Sequence, residues 1–246
     1  MKLNLIFLIT GFVPGWLHAQ TEITKTYPVQ SGQSIVMHFD YPELVQVSTW
    51  DKNEISIQGT VAINAGEHDD AFTIENSVEG KNIMIRSQIE DLHNLPQRIT
   101  LYRDGQKIIF RDKAGLKKFQ QEHGGGYNSL SYGADIEIVL HVMVPANIPT
   151  RIESVYGMVE VKDFKGPLTV EATYGGVDAA LSEKAVGEMV AETNYGQIFT
   201  NWDTKFGGEG SREEDFHTLV VVKPGTGPKY SLESKYGNVY IRKALN

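Results

Sequence analysis

Four Tyr-Gly dipeptides in the second half of the chain, Tyr156-Gly157, Tyr174-Gly175, Tyr195-Gly196 and Tyr236-Gly237, constrain the fold more than any other feature. They lie 18, 21 and 41 residues apart, the last interval being close to two repeats. The columns around them repeat too. Four residues before each Tyr stands Ile152, Val170, Ala191 or Leu232, and two before it Ser154, Ala172, Thr193 or Ser234. Three after it stands Val159, Val177, Ile198 or Val239, and five after it Val161, Ala179, Thr200 or Ile241. In an extended chain these positions put apolar or small side chains on one side. The parity changes across the Gly, so the strand has to bend there for both halves to face one core, and Gly tolerates the backbone angles of a bend or bulge. A unit of 18 to 21 residues cannot bury such a face alone. Stacking copies at about 4.8 Å does bury it, which predicts a β-solenoid of parallel strands over 132–246.

The remaining sequence extends this all-β reading. Residues 20–90 alternate short apolar runs with turn residues: Ser34–Phe39, Leu44–Thr49, Glu54–Gln58, Phe72–Asn76 and Asn82–Gln88 read as strands, with Tyr41-Pro42-Glu43 as a corner and Glu79-Gly80-Lys81 as a hairpin turn. This region is expected to be continuous with the repeats. Over 91–131 the regularity fails: Leu95-Pro96 interrupts the pattern, Ala114–Gln121 suits one short helix, Gly124-Gly125-Gly126 is flexible, and the segment reads as an irregular insertion or loop. Asp135–Val144 then has strong period-2 alternation. Between Gly208 and Pro228 a degenerate rung is expected, with Phe216-His217 in place of Tyr-Gly and Leu219–Val222 as its strand. The strand Val239–Ile241 would close the stack, Arg242 and Lys243 discouraging edge pairing.

The N-terminus points to export. Lys2, the apolar run Leu3–Val13 and Leu17-His18-Ala19 have the layout of a signal peptide at 1–19, and no later stretch is long and apolar enough for a transmembrane helix. The chain has 23 Lys and Arg against 31 Asp and Glu, a net charge of −8 that becomes −9 when Lys2 leaves with the signal. An acidic surface argues against nucleic acid and anionic membranes as partners. With no cysteine there is no disulfide, thiolate metal site or thiol nucleophile.

The Tyr-Gly repeats, the passage VPANIPTRIES at 144–154 and VQVSTWDKNEISIQG at 45–59 resemble the putative-adhesin family of bacterial envelope proteins with β-strand repeats. The resemblance covers most of the chain after the signal, apart from 91–131. It implies a right-handed parallel β-helix or related solenoid in the periplasm or at the cell surface, and it carries over no catalytic or ligand-binding residues.

Two columns are the candidate sites. Tyr156, Tyr174, Tyr195 and Tyr236 would form an aromatic stripe, able to pack on a sugar or a protein or simply to cover the bends at Gly157, Gly175, Gly196 and Gly237. Glu153, Glu171, Glu192 and Glu233 would stack on the outer face, either as a solvated acidic stripe or as oxygen ligands for a hard cation. No zinc spacing, nucleophile elbow, phosphate loop or dinucleotide fingerprint is present, and no cofactor is expected. These features favour a non-catalytic binding or scaffolding module whose partner is a glycan or an envelope protein. The rivals are a glycan-active enzyme drawing on the Glu column or on Glu213, Glu214 and Asp215, and an ion or small-ligand binder.

Overall fold

A computed structural model of the chain describes residues 20–244; the signal peptide expected at 1–19 lies outside the described residues. The N-terminal region forms β1 (Thr21–Pro28), β2 (Ser34–Phe39), β3 (Leu44–Trp50), β4 (Glu54–Ile63), β5 (Phe72–Glu79) and β6 (Asn82–Ile89). A middle segment holds β7 (Arg98–Arg103), β8 (Gln106–Phe110), helix α1 (Lys113–His123) and β9 (Ser129–Gly133). Next come β10 (Ile136–Pro145), β11 (Thr150–Ser154), β12 (Met158–Lys162), β13 (Leu168–Ala172), β14 (Val177–Leu181), β15 (Glu188–Thr193) and β16 (Ile198–Thr200). The chain closes with β17 (Arg212–Glu214), β18 (His217–Val222), β19 (Lys229–Ser234) and β20 (Val239–Lys243). Among the described residues no helix is long and apolar enough to cross a membrane.

The fold is all-β, as the alternation predicts. One sheet has eight strands in the order β1-β4-β10-β3-β12-β14-β20-β16, and a second has nine in the order β17-β18-β15-β19-β13-β11-β2-β6-β5. Their inward side chains merge into a single core. Ile152, Val170 and Leu232 from the second sheet and Val159, Val177 and Val239 from the first are all 1% exposed or less. Each such side chain contributes about 1.5–3 kcal/mol of burial free energy.

Both sheets are mixed, so the strictly parallel helix implied by the resemblance does not describe the whole molecule. Parallel pairs occupy the centre, where Glu153 lies beside Glu171 and Val159 beside Val177. The margins are antiparallel, at β1/β4, β4/β10, β5/β6, β15/β18 and β17/β18. Hairpins such as Gly80-Lys81 and Asp215-Phe216 return the chain beside itself and leave no length for a parallel crossover.

Five rungs, each a strand in the second sheet, a bend and a strand in the first, build the centre. In space they run β2–β3, β11–β12, β13–β14, β19–β20, β15–β16. The C-terminal rung therefore does not end the stack but fills a place left between β13–β14 and β15–β16. Arg242 and Lys243 are consequently not guards of an open edge: Arg242 pairs with Asp178 on the neighbouring strand, and Lys243 reaches Asp203 at 2.7 Å. The segment expected as a degenerate rung is instead the hairpin β17–β18, which lengthens the second sheet alone.

The segment 91–131, expected to be irregular, is ordered. Its strands β7, β8 and β9 form an antiparallel sheet in the order β8-β7-β9, with a small core of Ile99, Leu101 and Leu116. The short helix anticipated over Ala114–Gln121 is α1, capped by Asp112, whose carboxylate accepts the Gly115 N–H at 2.9 Å.

Candidate functional site

The bends place the tyrosines. Backbone pairing continues through each corner, the Tyr174 N–H donating to Val155 O at 2.8 Å and the Tyr236 N–H to Thr173 O at 2.9 Å. The rungs approach so closely there that a Cβ built on Gly175 would overlap the carbonyl oxygen of Gly157, and one on Gly196 or Gly237 would overlap that of Gly237 or Gly175. Gly157 faces Pro42 O in the same way. None of the four glycines has a positive φ. They are required by the closeness of the next rung rather than by a backbone angle closed to other residues.

Hydroxyls of the small column tie the corners together. Ser234 Oγ donates to Gly175 O at 2.7 Å and accepts the Gly237 N–H at 2.9 Å, and Thr193 Oγ1 does the same between Gly237 O and the Gly196 N–H. Ser154 Oγ donates to Gly157 O at 3.1 Å. Small side chains recur at this column because it is buried against the bend and must satisfy its peptides.

With the corners in register the rings form one row, in the spatial order Tyr41, Tyr156, Tyr174, Tyr236, Tyr195, Phe216. Successive centroids are 5.8, 5.3, 5.2, 5.2 and 5.7 Å apart. The three central pairs are stacked within 8–13° of parallel, and the last is tilted by 34°. All four repeat tyrosines are exposed, from 44% at Tyr236 to 61% at Tyr195. Each ring turns its faces to its neighbours, so the row presents ring edges and phenolic hydroxyls along about 24 Å, five strand spacings.

Of the two members outside the four Tyr-Gly repeats, Phe216 stands where the sequence predicts the Tyr of a degenerate rung, and Tyr41 was not legible as a repeat. At Tyr41 a Pro follows in place of Gly and an extra residue, Glu43, shifts the apolar Val45 out of its column. Met37, four before Tyr41, was the surviving signal, since it pairs with Ile152. Phe216 reaches the end of the row from a hairpin turn with φ of 63°, not from a rung.

The Glu column also assembles, in the order His38, Glu153, Glu171, Glu233, Glu192, with His217 beyond it. His38 Nδ1 lies 2.9 Å from Glu153 Oε2, and its Nε2 lies 2.9 Å from Asp40. Arg151 bridges Glu153 and Glu171, at 2.8 and 2.5 Å. His217 Nε2 lies 2.8 Å from Glu192. Burial opposes ionisation of Glu153, but hydrogen bonds from Arg151 and His38 outweigh it and hold the carboxyl below its usual range. Glu233 is pushed up by burial and by the charges of Glu192 and Glu171. Arg151, His38 and His217 thus hydrogen-bond three of the four carboxylates, leaving Glu233 without such a partner, and among the described residues no group of three or more His, Asp or Glu is arranged to hold a metal ion. Glu213, Glu214 and Asp215, the other acidic group, lie at the β17–β18 hairpin, where Glu214 stands across from His217.

No family model matches the chain, and no curated protein does. Among solved structures the chain is similar to a putative cell adhesion protein from Clostridium sporogenes, at 12% identity and a TM-score of 0.46 over 92% of this chain and 100% of that one. It is also similar to a putative adhesin from Bacteroides fragilis, at 10% identity and a TM-score of 0.22 over 92% of this chain and 98% of that one. Likenesses of this degree carry no residue assignments to the chain.

Proposed function

We infer that this chain is a non-catalytic, exported envelope module that binds or scaffolds a partner along its aromatic row. The observation that carries the reading is the row itself: six rings in continuous contact, the four repeat tyrosines 44–61% exposed. Core packing does not require large rings on the outside of a bend. A row of edges and hydroxyls at strand spacing suits an extended, repetitive partner, a glycan strand or a β-rich envelope protein. The five central rungs act in this reading as a short right-handed solenoid that holds the rings in register. Carboxylate catalysis has less support, because the Glu column runs along a sheet face and Glu153, Glu171 and Glu192 are engaged by Arg151, His38 and His217.

A glycan array followed by calorimetry on the double variant Tyr174→Ala/Tyr236→Ala tests the reading, with circular dichroism confirming the fold. Binding that weakens by about tenfold or more is expected, since both rings lie at the centre of the row. Cleavage of any polysaccharide, abolished by Glu171→Gln or Glu233→Gln, would replace this reading with the enzymatic one.

A further inference from the structure

The two sheets end unevenly beyond the last rung. The second sheet continues past β15 by two strands, β18 and β17, while among the described residues the first stops at β16. The inward positions record the missing strand. Val159, Val161, Val177, Ala179, Val239 and Ile241 are all fully buried, whereas the equivalent Ile198 is half-buried and Thr200 is exposed. Across the core, Thr218 and Val220 share the inner face with the fully buried Thr193 and Ala191, yet remain half-buried. Between them lies an open cavity of about 540 Å³, floored by Phe206 and bounded at the bend by Tyr195 and Phe216.

The free edge of β16 is ready for pairing. Gln197 O accepts from Val239, and the Asn201 N–H donates to Ile241 O, so residues 197, 199 and 201 face β20. The N–H and C=O groups of Ile198 and Thr200 therefore point the other way, into the open edge. On the outer surface Phe199 stacks on Tyr240 at 5.1 Å and 13°, and it remains 43% exposed.

We propose that this slot takes one extended peptide strand from a partner protein, added to β16, with apolar residues at alternate positions, an aromatic residue beside Phe199 and a basic residue at the acidic rim. Added strands of this kind take affinity from main-chain hydrogen bonds and specificity from alternate pockets. The basic residue follows from charge: Glu213 and Glu214 line the cavity, and neither forms an ion pair among the described residues. A second copy joined edge to edge is excluded by shape. Pairing β16 with its counterpart would set the two β15 strands one strand spacing apart, where the overhanging β17–β18 hairpins of both copies would collide.

The probe is a fluorescein-labelled heptapeptide, Gly-Asn-Val-Tyr-Ile-Arg-Lys, which copies residues 237–243, the strand already paired with the other edge of β16. Fluorescence polarisation with the full exported chain should show saturable binding below about 1 mM. Binding should fall at least about tenfold when alternate peptide nitrogens are methylated, which removes strand pairing. It should fall similarly in Ile198→Pro, which deletes an outward N–H that no bond among the described residues uses, and in Val220→Glu, which puts a bulky charge into the cavity. Glu213→Gln/Glu214→Gln should weaken it by about threefold and flatten its salt dependence. Absence of saturable binding, or equal binding by the methylated peptide or by the Val220→Glu protein, would overturn the proposal. Sedimentation of the wild type alone gives the last check: a dimer that Ile198→Pro dissolves would make a second copy the occupant and would equally overturn it.

Discussion

The rungs over 150–181 and those over 188–243 are built from the same repeat but assembled differently. In the first region chain order and spatial order agree: β11–β12 lies beside β13–β14. In the second, β15–β16 is laid down one place too far, the chain extends the second sheet with β18, and only then does β19–β20 return to fill the gap. Local pattern therefore dictates what a rung is, not which rung it touches. A gap one strand wide can be filled by any segment with the right alternation, and here the C-terminal segment fills it.

The largest expected effect follows from that placement. Deleting residues 229–246 removes the rung that pairs with β13, β14, β15 and β16 at once, so the chain should lose its cooperative melt by circular dichroism. The point variant Leu232→Ala, at a side chain 1% exposed, should cost about 3–5 kcal/mol, whereas Val220→Ala on the half-buried overhang should cost about 1 kcal/mol or less. A truncated chain that melts like the full one would show that the last rung is peripheral.

A smaller effect sharpens why the corners need glycine. Gly175→Ala should destabilise by about 2–3 kcal/mol in urea, because its Cβ meets backbone that cannot rotate away. Gly176→Ala, whose Cβ would stand 2.9 Å from Asn238 O, should cost roughly half as much. Equal midpoints would mean that the two rungs are not in the close contact described.

Ser234→Ala should cost about 1–2 kcal/mol, since the hydroxyl links Gly175 O of one rung to the Gly237 N–H of the inserted one. Ser154→Ala, which loses a single bond within its own rung, should cost less than about 1 kcal/mol. A double-mutant comparison by chemical denaturation would detect a reversal of that order.

The smallest effect concerns Glu233. Its pKa is raised in the fold, so the folded chain holds the proton more tightly than the unfolded one, and stability is lost as pH rises through the raised value. Glu233→Gln should then raise the melting temperature by roughly 1–2 °C near neutral pH and by nothing at about pH 3, with the gain shrinking in high salt. The same change at Glu171 or Glu192 should not stabilise, because Arg151 and His217 already hold those carboxylates. A larger gain at Glu171 than at Glu233 would show that Glu233 does not stand between Glu171 and Glu192.

What the sequence determined by itself is the content of each rung: the inward columns, the bend, the aromatic outside it and the Glu on the opposite face. Alternation is local and has a period of two, so it survives in a single chain without knowledge of neighbours. The hidden rung at Met37–Val45 shows the limit of that reading, since one added residue at the corner moves half the pattern out of register while the strands still pair. The small sheet over 98–133 was equally illegible as a unit, because its three short strands share a core of only a few side chains with α1. Only the tertiary structure decided that the C-terminal rung lies inside the stack, that Tyr41 extends the aromatic row, and that among the described residues the outer edge of β16 has no partner strand. Strand pairing joins backbones whose hydrogen-bonding groups are alike in every rung. The choice of neighbour therefore rests on long-range closure and burial, which no local window of sequence encodes.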